Sequence, residues 1–131
     1  ELPELKVYGA IDQYRTSMRK ELDYIQDKLQ AGADGFFTQP FFDLNLLDIY
    51  MDALQGVDVF WGISPVYHAS SQSYWENKNS VVFPSHFQAS EDWNISFGRK
   101  MLTRVQQHGG SVYFMPIRVN TASYLKALLT K

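Results

Sequence analysis

The sequence predicts an α/β protein assembled from parallel βα units. Two observations carry that expectation. Short apolar runs without in-out alternation recur along the chain, the pattern of strands covered on both faces. Each run is followed by a stretch whose apolar residues repeat at helical spacing, and Gly32, Gly56 and Gly109 close three of those stretches.

The elements follow in order. Residues 6–11, Lys-Val-Tyr-Gly-Ala-Ile, are the first run, ended by Asp12. Over 16–31, Met18, Leu22, Ile25 and Leu29 recur at helical spacing with charges between them, and Gly32 supplies the stop. Residues 35–39 form the second strand. Asp43 is placed to N-cap the next helix, with Phe42 and Leu47 at the spacing of a hydrophobic staple. That helix runs to about Leu54 and buries Leu46, Leu47, Tyr50 and Leu54. Residues 57–63 are the third strand, apolar but for Asp58, and Pro65 marks its exit.

A third helix is expected over 70–77. Residues 77–90 then carry Val81-Val82-Phe83-Pro84 and Ser85-His86-Phe87, too apolar for a solvated linker and without a clear period, so they read as an insertion. Residues 91–108 are helical, with Trp93, Phe97, Met101 and Val105 on one face. Residues 111–117 are the fourth strand, and Asn120 or Thr121 caps a last helix to Leu129.

This order implies one parallel sheet with right-handed crossovers. Four such units are half of a barrel that needs about 250 residues. An open arc of four strands leaves the edges of its first and last strands uncovered, together with apolar side chains on its concave face. A missing amino-terminal half, or a second copy closing the barrel as a dimer, is expected to cover them.

Composition narrows the function. With 45% hydrophobic and 20% charged residues the 131-residue chain reads as a single globular domain, and no apolar run nears the ~20 residues that span a bilayer. A net charge of −2 leaves no basic stripe for nucleic acid. The absence of cysteine rules out disulfides and thiolate metal sites and is compatible with the cytoplasm. The start, Glu1-Leu2-Pro3-Glu4, has neither the basic nor the apolar region of a secretory signal, and its lack of methionine suggests a fragment boundary or a processed start. Without such a signal the triplet Asn94-Ile95-Ser96 carries no glycosylation message.

In barrels of parallel strands ligands sit at the carboxyl ends. The groups read there are Tyr8 and Asp12, Thr38 and Gln39, Ser64, Tyr67 and His68, and Arg118. Gln39 reads equally as a ligand-binding amide or as a group satisfying loop backbone. No Ser-His-Asp or Cys-His spacing marks a hydrolase. His68, His86 and His108 are far apart, so no metal site is expected.

The stretch Ala31-Gly32-Ala33-Asp34 followed by Thr38-Gln39-Pro40-Phe41-Phe42-Asp43 resembles the signature of the methylenetetrahydrofolate reductases, flavin enzymes built on a TIM (β/α)8 barrel. Gly62-Ile63-Ser64-Pro65-Val66 is similar to that family's Gly-Ile-x-Pro-Val, and Tyr113-Phe114 stands where its last strand ends. The resemblance covers nearly the whole chain and implies the carboxyl-terminal half of the barrel.

The resemblance implies FAD as cofactor, NADH or NADPH as co-substrate, a folate substrate, and a place in one-carbon metabolism and methionine biosynthesis. It implies that Tyr8, Glu21 and Lys28 contact the cofactor, Lys28 as a point charge for its pyrophosphate. Glu21 and Lys28, seven residues apart, share a helix face and are expected to touch one extended ligand. It further implies that Gln39 hydrogen-bonds the pterin and Trp75 stacks on substrate, although Trp75 reads as well as a core residue. Arg118 is a candidate for a folate carboxylate, or an arginine with no such duty. The catalytic residues are expected in the amino-terminal half, so that none lies in this chain and the chain alone is expected not to turn over. An alternative is a non-catalytic flavin- or folate-binding half-barrel that acts through a partner or self-association. The turn Gly9-Ala10-Ile11-Asp12-Gln13-Tyr14 and Pro40 depart from the family pattern.

Overall fold

The computed structural model describes residues 4–130, and the reading of residues 1–3 lies outside them. Four strands, β1 (Tyr8–Ile11), β2 (Gly35–Pro40), β3 (Val59–Ile63) and β4 (Ser111–Phe114), form one sheet in the order β1-β2-β3-β4. All three pairings are parallel. Sequential order with parallel strands is the arrangement of a barrel wall, so the molecule is α/β with the βα units of half a TIM barrel. The connections are α1 (Met18–Gln30), α2 (Leu44–Ala53), and the pair α3 (Ala69–Asn79) and α4 (Glu91–His108), with α5 (Thr121–Leu129) closing the chain.

Helix boundaries follow from local capping. Ser17, Asp43, Ser90 and Asn120 accept backbone N–H groups of α1, α2, α4 and α5 through their side chains. Gly32 takes φ 107° after α1, and the Ala33 N–H reaches back to the Lys28 carbonyl, a Schellman closure. The third helix is longer than expected because Ser80, in a left-handed conformation, ends it in place of Asn77.

Three strands are shorter than expected, each for a hydrogen-bonding reason. Val7 pairs with Asp34 through its N–H and its carbonyl, outside the ladder. The Val57 N–H closes a turn on Leu54 ahead of β3. Beyond β4 the Met115 N–H still reaches Ile63, but Pro116 offers no N–H to continue.

The sheet separates two environments. Ile11, Phe36, Val59, Trp61 and Ile63 point into the core shared with the helices, where Ile25, Leu47, Tyr50, Met101 and Val105 meet them. The opposite face carries Tyr8, Phe37, Phe60 and Tyr113 in mutual contact, with Phe37 and Phe60 stacked at 4.7 Å. Phe37 is 40% exposed, so the apolar concave face expected of an open arc is present.

Residues 80–90 build a second, smaller core. Val81, Phe83 and Phe87 gather with Phe42, Val66 and Trp75. Phe42 therefore belongs to this cluster and Leu47 to the main one, so the expected staple between them does not form. Asn94 ties the two cores: its Oδ1 accepts from the Val66 N–H at 2.9 Å, and its Nδ2 donates to the Val66 and Ser90 carbonyls at 2.6 Å each. No helix among the described residues is long and apolar enough to cross a membrane.

Candidate functional site

The carboxyl end of β2 is irregular. Phe37 pairs with Phe60 but Pro40 pairs with Gly62, so three steps along β2 face two along β3 and one residue is extra. This is a bulge at Thr38 and Gln39, a device that lifts backbone off the ladder and re-aims a side chain. Side chains replace the lost ladder bonds. Thr38 Oγ1 donates to the Gln39 carbonyl at 2.7 Å and accepts the Gly62 N–H at 2.9 Å. Tyr113 Oη donates to the Thr38 carbonyl, its ring lying where a Cβ on Gly62 would be 3.0 Å away. Gln13 and Tyr14, from the loop after β1, donate to the Pro40 carbonyl.

Gln13 also spans the Gln39 peptide groups. Its Oε1 accepts from the Gln39 N–H at 3.2 Å and its Nε2 donates to the Gln39 carbonyl at 2.7 Å. With its backbone so occupied, half-buried Gln39 keeps its side-chain amide without a hydrogen bond among the described residues.

Tyr8 stands at the first residue of β1, so its expected place at a carboxyl end is corrected. The strand begins there because Val7 is held by Asp34. Tyr8 Oη donates to Asp58 Oδ2 at 3.1 Å, and this bond, with the nearby carboxylates, raises the phenol pKa above its ordinary value. Gly35 makes room for the ring, since a Cβ there would lie 2.6 Å from it.

Lys28 runs its stem past Gly9 and donates from Nζ to the Ala10 carbonyl at 2.7 Å. Its ammonium thus caps the edge strand and retains two N–H donors. Glu21 is wholly buried: its oxygens accept from Arg15 Nε at 2.8 Å, Arg15 Nη2 at 3.0 Å and the Asp12 N–H at 3.0 Å. Seven residues of helix separate Glu21 from Lys28 by ~10 Å of rise.

Trp75 and Arg118 are brought together. They line a pocket of about 180 Å³ with Ser70, Ser71, Tyr74 and Ile117. Trp75 is only 3% exposed, packed against Phe42 at 5.9 Å, so it is a core residue with one margin on the pocket. Arg118 is exposed and held in a left-handed conformation, φ 57°. The volume suits a ring or a carboxylate end and is small for a drug-sized ligand, which takes ~300 Å³ or more. Just past the end of β3, Ser64 Oγ is enclosed without a hydrogen-bond partner among the described residues.

Residues 4–122 match the family described as methylenetetrahydrofolate reductase. The chain belongs to the methylenetetrahydrofolate reductase family. The match includes every candidate above, from Tyr8 to Arg118. A search of curated proteins returned no match.

Methylenetetrahydrofolate reductases are generally flavin-dependent, and the donor set here can be tested against such a group. Lys28, with two spare donors, fits the anionic part of such a cofactor, and Tyr8, with its aromatic ring, fits a flat ring. Glu21 does not fit, because all its accessible lone pairs face Arg15 and Asp12 and none faces solvent. Gln13, Tyr14 and Tyr113 were not singled out by the sequence as members of this site. The departure of the turn before Tyr14 and of Pro40 from the family pattern was the available signal for the first two.

Proposed function

We propose that this chain supplies the carboxyl-terminal half of a barrel that reduces 5,10-methylenetetrahydrofolate to 5-methyltetrahydrofolate, with FAD as cofactor and NADH or NADPH as reductant, in the cytoplasm. The observation that carries the reading is the Gln39 amide, left unpaired among the described residues at the end of a bulged strand whose backbone at Gln39 is hydrogen-bonded. An amide offers two donors and an acceptor, which suits the mixed edge of a pterin.

Bound flavin supplies the hydride relay between nicotinamide and folate. The residues of this chain bind and orient. Lys28 supplies positive charge at the edge of β1, and Tyr8 offers its ring. Gln39 orients the pterin, Trp75 walls the neighbouring pocket, and Arg118 meets a carboxylate of the folate tail. Groups that move protons belong to the other half of the barrel, which also covers the concave aromatic face. A second reading, a half-barrel that binds flavin or folate without catalysis and acts through a partner or a second copy, is favoured by the exposure of Phe37 on that face.

The test separates the half-reactions in the full-length protein. Gln39→Ala is expected to leave flavin reduction by NADH or NADPH intact and to slow reoxidation by methylenetetrahydrofolate about tenfold or more, the effect of losing one or two hydrogen bonds. Equal reoxidation rates in wild type and variant would overturn the assignment of Gln39.

A further inference from the structure

Gln39 can select a ligand only if its own backbone is held, and the sheet does not hold it. The bulge takes Thr38 and Gln39 off the β3 ladder, which resumes only at Pro40 opposite Gly62, where the Phe41 N–H donates to the Gly62 carbonyl at 3.0 Å. On the other side β1 pairs with β2 only as far as Thr38, opposite Ile11. The Gln39 peptide groups therefore lie inside the bulge on the β3 side and past the last paired residue on the β1 side.

Gln13 fills that gap. It is 7% exposed and lies in the loop just after β1, where a continuing strand would have run. Its amide presents an acceptor to the Gln39 N–H and a donor to the Gln39 carbonyl, the two bonds a neighbouring strand would make. The same Nε2 reaches the Pro40 carbonyl at 3.3 Å, and Tyr14 Oη takes that carbonyl as well. The loop carrying Gln13 is itself pinned. The Asp12 N–H donates to buried Glu21, and Asp12 Oδ1 accepts from the Tyr14 N–H at 3.0 Å.

We propose that Gln13 is a positioning residue for Gln39, a side-chain substitute for the missing strand partner that fixes the direction of the Gln39 amide toward the folate ring. It touches neither substrate nor cofactor. Its effect passes through the Gln39 backbone, because two of its three bonds go to the peptide groups on either side of that one side chain and the third to the next carbonyl, that of Pro40. The inference rests on the reading of Gln39 as the pterin-binding amide.

The experiment is a double-mutant cycle in the full-length protein, read as the dissociation constant for 5-methyltetrahydrofolate. Gln13→Met keeps the volume and removes both polar groups. It is expected to weaken binding about tenfold in the wild-type background and to have almost no further effect beside Gln39→Ala, a coupling between contacting residues. Tyr14→Phe, which removes only the bond to Pro40, is expected to show a smaller loss that also vanishes beside Gln39→Ala. It carries the test if Gln13→Met fails to fold. Losses of equal size in both backgrounds would mark a general structural role and overturn the proposal, as would unchanged affinity. If the wild-type protein does not bind 5-methyltetrahydrofolate, the functional reading itself falls and the inference with it.

Discussion

Arg15 holds Glu21 with two nitrogens, Nε at 2.8 Å and Nη2 at 3.0 Å, and while the Arg15 side chain is 42% exposed that of Glu21 is fully enclosed. The pair is asymmetric, and so are its expected mutational effects. Arg15→Met leaves a buried carboxylate with only the Asp12 N–H as partner and is expected to cost about 3 kcal/mol. Adding Glu21→Leu should restore most of that, since a well-packed apolar pair does not carry an uncompensated charge. Denaturant unfolding of the two variants measures both effects, and equal stabilities for single and double variants would contradict the account.

Asn94 makes a parallel case with a neutral group. Its amide joins the Val66 peptide to the start of α4, and the residue is 3% exposed. Asn94→Ala orphans the Val66 N–H and should cost about 2 kcal/mol. Asn94→Asp should also destabilise, because a carboxylate cannot donate to the Val66 and Ser90 carbonyls. Thermal melts would show whether both variants fall below wild type, as expected.

Two enclosed tyrosines, Tyr50 and Tyr124, and the half-buried Tyr14 give the protein an alkaline limit. Burial pushes Tyr50 up to about 12, and Tyr14 and Tyr124 higher still, from an ordinary value of 10.0. A phenol with a raised folded pKa stabilises fully below its unfolded value, and that stability is lost as pH rises through the folded one. Stability is therefore expected to be level with respect to these groups up to about pH 10 and to decline from there toward pH 12 and above. The last part of the tyrosinate absorbance rise should coincide with the loss of the circular dichroism signal at alkaline pH. Ionisation of every tyrosine near pH 10 without loss of structure would contradict the burial described.

How much of this was legible in the sequence depends on how local the cause is. The cap at Asp43, the stop at Gly32 and the helical face of Trp93, Phe97, Met101 and Val105 act within a few residues, and the sequence located them; for the last helix it narrowed the cap to Asn120 or Thr121, and Asn120 is the one. Glu21 was legible in principle: it stands four residues before Ile25 on the buried stripe of α1, where a carboxylate must find partners. The clamp of Gln13 on Gln39 was not, because it joins residues 26 apart through a bulge no periodicity announces. Nor was the role of Asn94, which met Val66 across 28 residues while its letters spelled only a glycosylation triplet. Trp75 was ambiguous because its surroundings are mixed, a core ring with one margin on the pocket it shares with Arg118.

The reductase reading stands or falls on whether the protein carries a flavin that folate can reoxidise. The direct measurement is the visible absorption spectrum of the full-length protein, taken anaerobically before and after NADH or NADPH and again after methylenetetrahydrofolate. The account predicts flavin bands that bleach with the nicotinamide and return with the folate. A full-length protein that shows no flavin even after added FAD, or a reduced flavin that methylenetetrahydrofolate leaves bleached, would contradict it.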